Sequence, residues 1–191
     1  MCVMTAPGRK QGDDAGKKQK EEGTLRLLTP GEVELAKLVF WSTISYEKVW
    51  IHHDSFLPFG LQNKQTAMAP DGEIYFREYY RDDYSLNVPF HQHMFIHEMA
   101  HVWQREKGMN VIGRGLVSWA VSYRYVLDGR LLSEYPMEQQ AQIIADHFSL
   151  QAEGYTKWCE LRDYGIVTLD GDIREPVIRQ QYENTLRGFP W

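Results

Sequence analysis

Apolar side chains with helical spacing mark the first folded element of the chain. Residues 29–32 precede them and have the form of a helix start: Thr29 can cap the helix, Pro30 suits its first position and Glu32 can complete a capping box. The apolar residues that follow are Val33, Ala36, Leu38, Val39 and Phe40. We therefore predict a first helix that ends near Trp41.

Shorter apolar runs between residues 46 and 76 are typical of strands. Residues 46–60 combine short apolar segments with turn residues, and Asp71 and Gly72 form a turn signal ahead of the run at 73–76. We predict a small sheet in this part of the chain.

Three further helices are predicted in the rest of the chain. Pro89 suits a helix start and Gly108 the position just after a helix end, and the apolar residues between them lie on nearly every side of the helix. That pattern indicates a buried central helix. A third helix begins after Pro136 and closes at Gly154, and a fourth lies between residues 176 and 187. These elements predict an α+β fold that is predominantly helical.

The N-terminal residues differ in composition from the rest. Residues 5–23 contain almost no large apolar side chains, so burial cannot offset the entropy lost on ordering them. We predict a flexible tail over residues 1–23 and one folded domain over residues 24–191. A basic recognition arm is the alternative interpretation of the tail, although its acids almost cancel its lysines.

Composition and charge exclude several classes of protein. Hydrophobic residues make up 43% of the 191 positions, which is too many for a disordered chain, and a net charge of −5 gives no reason to expect nucleic-acid binding. The sequence lacks an apolar run of membrane-spanning length and an N-terminal signal-peptide core, so we expect neither a membrane span nor export by the general secretory route. Cys2 and Cys159 are too few for a disulfide framework or a cysteine zinc site.

The predicted central helix carries a metal-binding pattern. His97 and His101 are four residues apart, which places them about 40° apart around a helix and about 6 Å apart along it, so both can bind one Zn²⁺. Glu98 occupies the position of the general base that activates water in such sites. We predict His97 and His101 as zinc ligands and Glu98 as the catalytic base. Two structural histidines in a core helix are the alternative, but that interpretation leaves a buried acid unexplained.

A third ligand must come from another element, because catalytic zinc sites usually have three protein ligands and an open position. The apolar face of the helix after Pro136 comprises Met137, Ala141, Ile144, Ala145 and Phe148. On a helical wheel Glu138 flanks this face, whereas Gln142 and Asp146 lie progressively further from it. We predict Glu138 as the ligand and keep Asp146 as the alternative. Glu138 could instead be a first-turn acid that favours the helix dipole, and Gln142 or Asp146 could orient a ligand.

The other histidines are expected to have lesser roles. His93 lies about 12 Å along the helix from His101, too far for both to bind one ion. We expect His91 and His93 to lie beside the ligands or on the surface, and His147 to be solvated. One of several late tyrosines could stabilise an oxyanion, but each is more simply a packing residue: Tyr123, Tyr125, Tyr135 and Tyr155.

Four segments together resemble a known family. LTPGEVELAKLVF, AMAPDGEIYF, HEMAHVWQ and EQQAQIIADHF are similar to the metallopeptidase domain associated with Rhs and VgrG proteins of bacterial type VI secretion, over about residues 27–150. The resemblance implies a zincin-like fold with a small sheet and a central HExxH helix, Zn²⁺ held by His97, His101 and Glu138, and Glu98 as base. Many related zincins carry an acid where this chain has Gln142. This departure from the family pattern affects the assignment of the third ligand.

The resemblance also implies a biological role. It implies a zinc-dependent hydrolase of peptides or peptidoglycan peptides, made in the bacterial cytoplasm and delivered by a type VI system into the target periplasm as an antibacterial effector. A VgrG or Rhs spike and an immunity protein would be its partners. The strand at 73–76 could pair with an extended substrate. The alternatives are a non-catalytic secretion adaptor or cargo module with a structural zinc, in which Glu98 would have no task, and an enzyme that uses Fe, Ni or Cu at the same site.

Overall fold

The computed structural model describes residues 22–111 and 122–191. This part of the chain is α+β and about half helical. Its strands are β1 (Thr24–Leu27), β2 (Trp50–His53), β3 (Ile74–Phe76), β4 (Tyr125–Val126) and β5 (Leu169–Asp170). Its α-helices are α1 (Pro30–Phe40), α2 (Pro89–Glu106), α3 (Met137–Ala152), α4 (Gly154–Asp163) and α5 (Glu175–Thr185). The α+β class predicted from the sequence is confirmed.

Helix α1 begins with the predicted capping box. The Thr29 hydroxyl accepts from the Glu32 amide at 3.1 Å, and the Glu32 carboxylate accepts from the Thr29 amide at 2.8 Å. The same carboxylate, wholly buried, accepts two bonds of 2.7 Å from Arg26 of β1 and one from the Tyr84 amide. Glu32 therefore joins the helix to the first strand and to the segment that leads into α2, which stabilises their packing.

A three-stranded sheet contacts α2 through β3. Strand β2 lies at its centre, antiparallel to β1 and parallel to β3, and the side chains on its inner face include Ile51, Ile74 and Phe76, all without exposure. Strands β4 and β5 form a separate parallel pair. The sequence predicted strands in the regions of β2 and β3, but it did not predict β1, β4 or β5, which are only two to four residues long.

The outer edge of β3 is already paired. The Tyr75 amide donates to the Met68 carbonyl at 2.8 Å, and the Met68 amide donates to the Tyr75 carbonyl at 3.1 Å. Gln62 adds a side-chain bond to the same Tyr75 carbonyl. The expectation that this edge receives an extended substrate is therefore wrong, because the chain's own residues use the backbone groups that a substrate would need.

Helix α2 is the centre of the core. Every residue from 93 to 104 is buried, which confirms the predicted central helix. Helix α3 packs along it and is itself covered on its other side by α4 and by residues 166–168. Gly154 closes α3 as predicted, because it follows the helix end at Ala152 and adopts a φ of +79° that lets the chain turn directly into α4.

The tail predicted over residues 1–23 lies mostly outside the described residues. Its last two residues contact the sheet: the Glu22 carboxylate pairs with Arg77 at 2.8 Å, and the Gly23 amide donates to the His53 carbonyl at 2.8 Å. Within residues 22–111 and 122–191, the helices are too short or too polar to cross a membrane.

Candidate metal centre

Three potential metal ligands meet where α2 faces the first turn of α3. His97 and His101 lie on successive turns of α2, and Glu138 lies at the start of α3. The Glu138 Oε2 atom is 3.1 Å from His101 Nε2 and 3.6 Å from His97 Nε2, and all three ligand atoms lie within 4.8 Å of one another. The structure therefore brings together the three residues that the sequence analysis proposed as ligands.

The donor set fits a zinc ion. Ligand atoms about 2.0–2.1 Å from a tetrahedral Zn²⁺ are about 3.3 Å from one another, close to the two shorter separations in the cluster. Both ring nitrogens of His97 are buried without a hydrogen-bond partner among the described residues. Buried polar atoms are normally paired, so this imidazole has the environment of a ligand whose partner is a cation.

The pKa values of the two histidines are shifted in opposite directions. Burial lowers the pKa of His97 to about 4, whereas at His101 the adjacent Glu138 carboxylate outweighs burial and raises the pKa to about 9. Although burial opposes its ionisation, the pKa of Glu138 stays well below its usual range because His101 and His97 stabilise the carboxylate. Without a metal, the cluster therefore holds a proton on His101 against the negative charge of Glu138.

Glu98 lies beside the cluster and is almost wholly buried. Its side chain is 1% exposed, and its two carboxylate oxygens make no hydrogen bond within the described part of the chain. Burial raises the pKa of Glu98 to about 7, with opposing effects from the nearby His101 and Glu138. A buried carboxyl group with a pKa near neutrality can accept and release a proton under physiological conditions.

A bacterial spike protein is similar to this chain in sequence and, through one of its domains, in structure. No family model matches the chain. The type VI secretion system spike protein VgrG2b of Pseudomonas aeruginosa is 41% identical over 132 residues, which cover 64% of this chain and 13% of the spike protein. The solved effector domain of P. aeruginosa VgrG2b is 34% identical, with a TM-score of 0.60 over 79% of this chain and 87% of that domain. The chain belongs to the VgrG2b effector-domain family.

The relationship concerns one part of the spike protein. The chain spans 13% of the length of VgrG2b, whereas it covers 87% of the solved effector domain. Membership of the VgrG2b effector-domain family links the chain to type VI secretion.

In this member of the VgrG2b effector-domain family, Gln104 is a site residue that the sequence analysis missed. Its side-chain oxygen lies 2.8 Å from His101 Nδ1, and its side-chain nitrogen donates to the Met137 carbonyl at 2.9 Å. The sequence alone could have indicated Gln104, because a residue three positions after a ligand in a helix lies on the same face of that helix. Glutamine at that position can bond the ligand's second ring nitrogen.

Asp146, the alternative third ligand, lies in a different cluster. Its carboxylate accepts bonds from His93 Nε2 at 2.7 Å and from Gln142 Nε2 at 2.7 Å, and it is wholly buried. The expectation that Gln142 and Asp146 lie away from the core is wrong. A helical wheel assumes that a helix has one buried face, whereas α3 is covered on two sides. On the side away from α2, the Gln142 amide donates to the Ile166 carbonyl.

The remaining histidines and tyrosines are also placed. His91 and His93 are both buried, so the surface alternative for them is wrong. His147 is not fully solvated: it is half-buried against the Tyr182 ring because α5 covers this side of α3, and burial lowers its pKa to about 4. Of the four tyrosines considered, Tyr123 lies beside the cluster, with its ring centre 6.0 Å from that of His97.

Proposed function

We propose that this chain is a zinc-dependent hydrolase that acts as a type VI secretion effector. The observation that carries the proposal is the buried cluster of His97, His101 and Glu138 with the carboxyl group of Glu98 next to it, which has no hydrogen-bond partner among the residues that the structure describes. Membership of the VgrG2b effector-domain family supports the delivery route. An HExxH helix beside a small sheet supports a zincin-like fold, which we propose for residues 24–191.

In peptide-bond hydrolysis, three of the proposed residues would bind the metal and the fourth would transfer a proton. His97 and His101 would hold Zn²⁺ from α2, and Glu138 would hold it from α3. The ion, when bound, would polarise the scissile carbonyl and make a water molecule easier to deprotonate. Glu98 would take a proton from the attacking water while the oxygen of that water bonds to the carbonyl carbon. It would then pass that proton to the nitrogen as the C–N bond breaks.

Glu98 also favours an enzyme over a module with a structural metal. A structural zinc site is normally closed by four protein ligands and has no need of a neighbouring acid. Within residues 22–111 and 122–191 the cluster supplies three ligands, and burying Glu98 beside it disfavours the ionised carboxyl group. An unpaired acid that destabilises the fold is typical of a catalytic site. Two imidazoles and a carboxylate also suit Fe, Ni or Cu, so elemental analysis of the purified protein is the first measurement.

The proposed substrates are peptides or peptidoglycan peptides of the target periplasm. The proposed partners are a VgrG or Rhs spike, which would carry the chain out of the producing cell, and an immunity protein, which would protect the producer. Incubating the zinc-loaded protein with isolated sacculi and with unstructured peptides, followed by mass spectrometry of the products, would identify the bond that it cleaves.

Toxicity in the periplasm tests the proposal directly. The chain fused to a signal peptide should inhibit growth, and Glu98→Gln should abolish inhibition while leaving zinc content intact. Glu106→Gln is the matched control, because Glu106 lies on the same helix but is exposed at its end. Undiminished toxicity of a zinc-loaded Glu98→Gln protein would favour the non-catalytic adaptor instead.

A further inference from the structure

The side chain of Gln104 is wholly buried between α2 and α3, with all of its polar atoms paired. Its oxygen lies 2.8 Å from His101 Nδ1. Its nitrogen lies 2.9 Å from the Met137 carbonyl oxygen and 3.2 Å from Gln140 Oε1. One amide thus contacts a proposed ligand on α2 and the residue just before another proposed ligand, Glu138, on α3.

The orientation of this amide follows from its partners. The Met137 carbonyl can only accept a hydrogen bond. The Gln140 nitrogen donates to the Tyr135 carbonyl at 2.8 Å, so Gln140 presents its oxygen to Gln104. Both neighbours of the Gln104 nitrogen are therefore acceptors, and the NH₂ group must face them. The Gln104 oxygen must then face His101, whose Nδ1 atom must carry a proton.

This proton has a consequence for the metal centre. A neutral imidazole with its proton on Nδ1 presents a lone pair at Nε2, the atom that ligates a metal. The His101 Nε2 atom is the one that faces Glu138, at 3.1 Å. Two backbone carbonyls, those of Tyr135 and Met137, thus determine through Gln104 which nitrogen of His101 faces the cluster.

The described residues provide no comparable hydrogen bond for the His97 ring. Its Nδ1 atom is buried without a hydrogen-bond partner among the described residues. No hydrogen bond within the described part of the chain orients the His97 ring, whereas the His101 ring is held by Gln104, whose nitrogen also donates to the Met137 carbonyl of α3. Gln104 therefore links the position of His101 to the start of α3, which carries Glu138.

We propose that Gln104 is a positioning residue of the metal centre, which orients His101 and keeps the first turn of α3, with Glu138, at ligand distance. This inference rests on the proposed function, since it requires that the cluster bind a metal. Gln104 would act through His101, without contact with the reacting atoms.

A pair of glutamine variants tests it. Gln104→Met keeps the volume but removes the hydrogen bonds, and it should weaken zinc affinity about 10–100-fold in competition with a chromophoric chelator. Gln142→Met is the matched control. Gln142 is equally buried, and its nitrogen also donates two bonds, to Asp146 and to the Ile166 carbonyl, but outside the cluster. Both variants should lower thermal stability, and only Gln104→Met should lower zinc affinity.

The outcomes separate this inference from the proposed function. If the unmodified chain binds no zinc, the proposed function fails and the inference fails with it. If the unmodified chain binds zinc and Gln104→Met binds it equally well, or if both variants lose affinity alike, only the inference fails. A further measurement needs no variant: ¹⁵N spectra of the zinc-loaded chain should show a slowly exchanging Nδ1–H on His101, and a proton on its Nε2 atom would overturn the inference.

Discussion

The Oδ1 atom of Asp146 lies 2.7 Å from the Nε2 atom of His93, and both side chains are wholly buried. The other oxygen of Asp146 accepts from the Tyr125 hydroxyl at 2.7 Å and from the Thr168 amide at 3.1 Å. A single carboxylate thus joins α2, α3, β4 and the segment before β5. Its partner on α2 lies one turn before the proposed ligand His97, so this network supports the helix that carries the metal centre.

Removing that carboxylate should destabilise the fold without emptying the site. Asp146→Ala removes an acceptor from three buried donors, His93, Tyr125 and Gln142, and from the partly buried Thr168 amide. Breaking a buried, hydrogen-bonded network typically costs about 3–5 kcal/mol. We expect the free energy of unfolding, measured with urea, to fall by about that amount. The folded fraction should keep its zinc, since Asp146 lies outside the ligand cluster.

The opposite result is expected for Glu138→Ala. Glu138 supplies one of the three ligand atoms of the cluster, so its loss should weaken zinc binding far more than the loss of Asp146 does. Chelator competition at equal concentrations of folded protein measures both variants. If Asp146→Ala loses the metal and Glu138→Ala keeps it, the third ligand has been assigned to the wrong residue.

Much of the site could be anticipated from residues that are close in sequence. The spacing of His97 and His101 depends only on helix geometry, and the start of α1 depends on a capping box that the structure contains. The wheel position of Glu138 beside the buried face was also sufficient to propose it as a ligand. Local periodicity was enough for these features because each belongs to one helix.

Features that join distant elements could not be predicted in this way. Asp146 and His93 are 53 residues apart, and the burial of Asp146 depends on residues 166–168, which cover the side of α3 that the wheel assigned to solvent. Helix α4 was missed because its sequence is mostly polar, with Trp158 and Leu161 as its buried residues. The Met68 pairing that covers β3 is an isolated bridge without a strand pattern.

Glu98 should lower the stability of the metal-free fold and raise the rate of hydrolysis. Burial raises its pKa to about 7, so the folded state disfavours the ionised carboxyl group. The resulting destabilisation is absent below the ordinary pKa of 4.5 and grows as the pH rises through 7. Glu98→Gln should therefore be at least as stable as the unmodified, metal-free chain at pH 8, and the difference should shrink towards pH 4. The same substitution should slow hydrolysis by about 10²–10⁴-fold.

Urea unfolding at the two pH values and steady-state kinetics test this trade-off together. A Glu98→Gln protein that is markedly less stable at pH 8 would show that the carboxylate is paired in solution. A variant that hydrolyses substrate at the normal rate would exclude Glu98 as the base.

Zinc binding should become tighter as the pH rises. Without a metal, His101 has a pKa of about 9, because the adjacent Glu138 carboxylate outweighs the effect of burial. A metal that binds at pH 7 must therefore displace the proton on His101 Nε2, the atom that faces Glu138, and each unit of pH up to about 9 should strengthen binding about tenfold. Burial lowers the pKa of His97 to about 4, so His97 should contribute no proton in this range.

The metal-free fold should respond to pH in the opposite direction. A raised pKa in the folded state means that the His101–Glu138 pair contributes stability that is fully present below the ordinary pKa of 6.5 and is lost as the pH rises through 9. The chelated chain should thus unfold more easily at pH 9 than at pH 7, whereas the zinc-loaded chain should not. His147→Gln is a control that should leave this pH dependence unchanged. His147 lies apart from the cluster, and burial lowers its pKa to about 4, outside this pH range. A zinc affinity that stays constant between pH 7 and pH 9 would show that His101 is neutral in the metal-free chain and that the Glu138 carboxylate does not stabilise a proton on it.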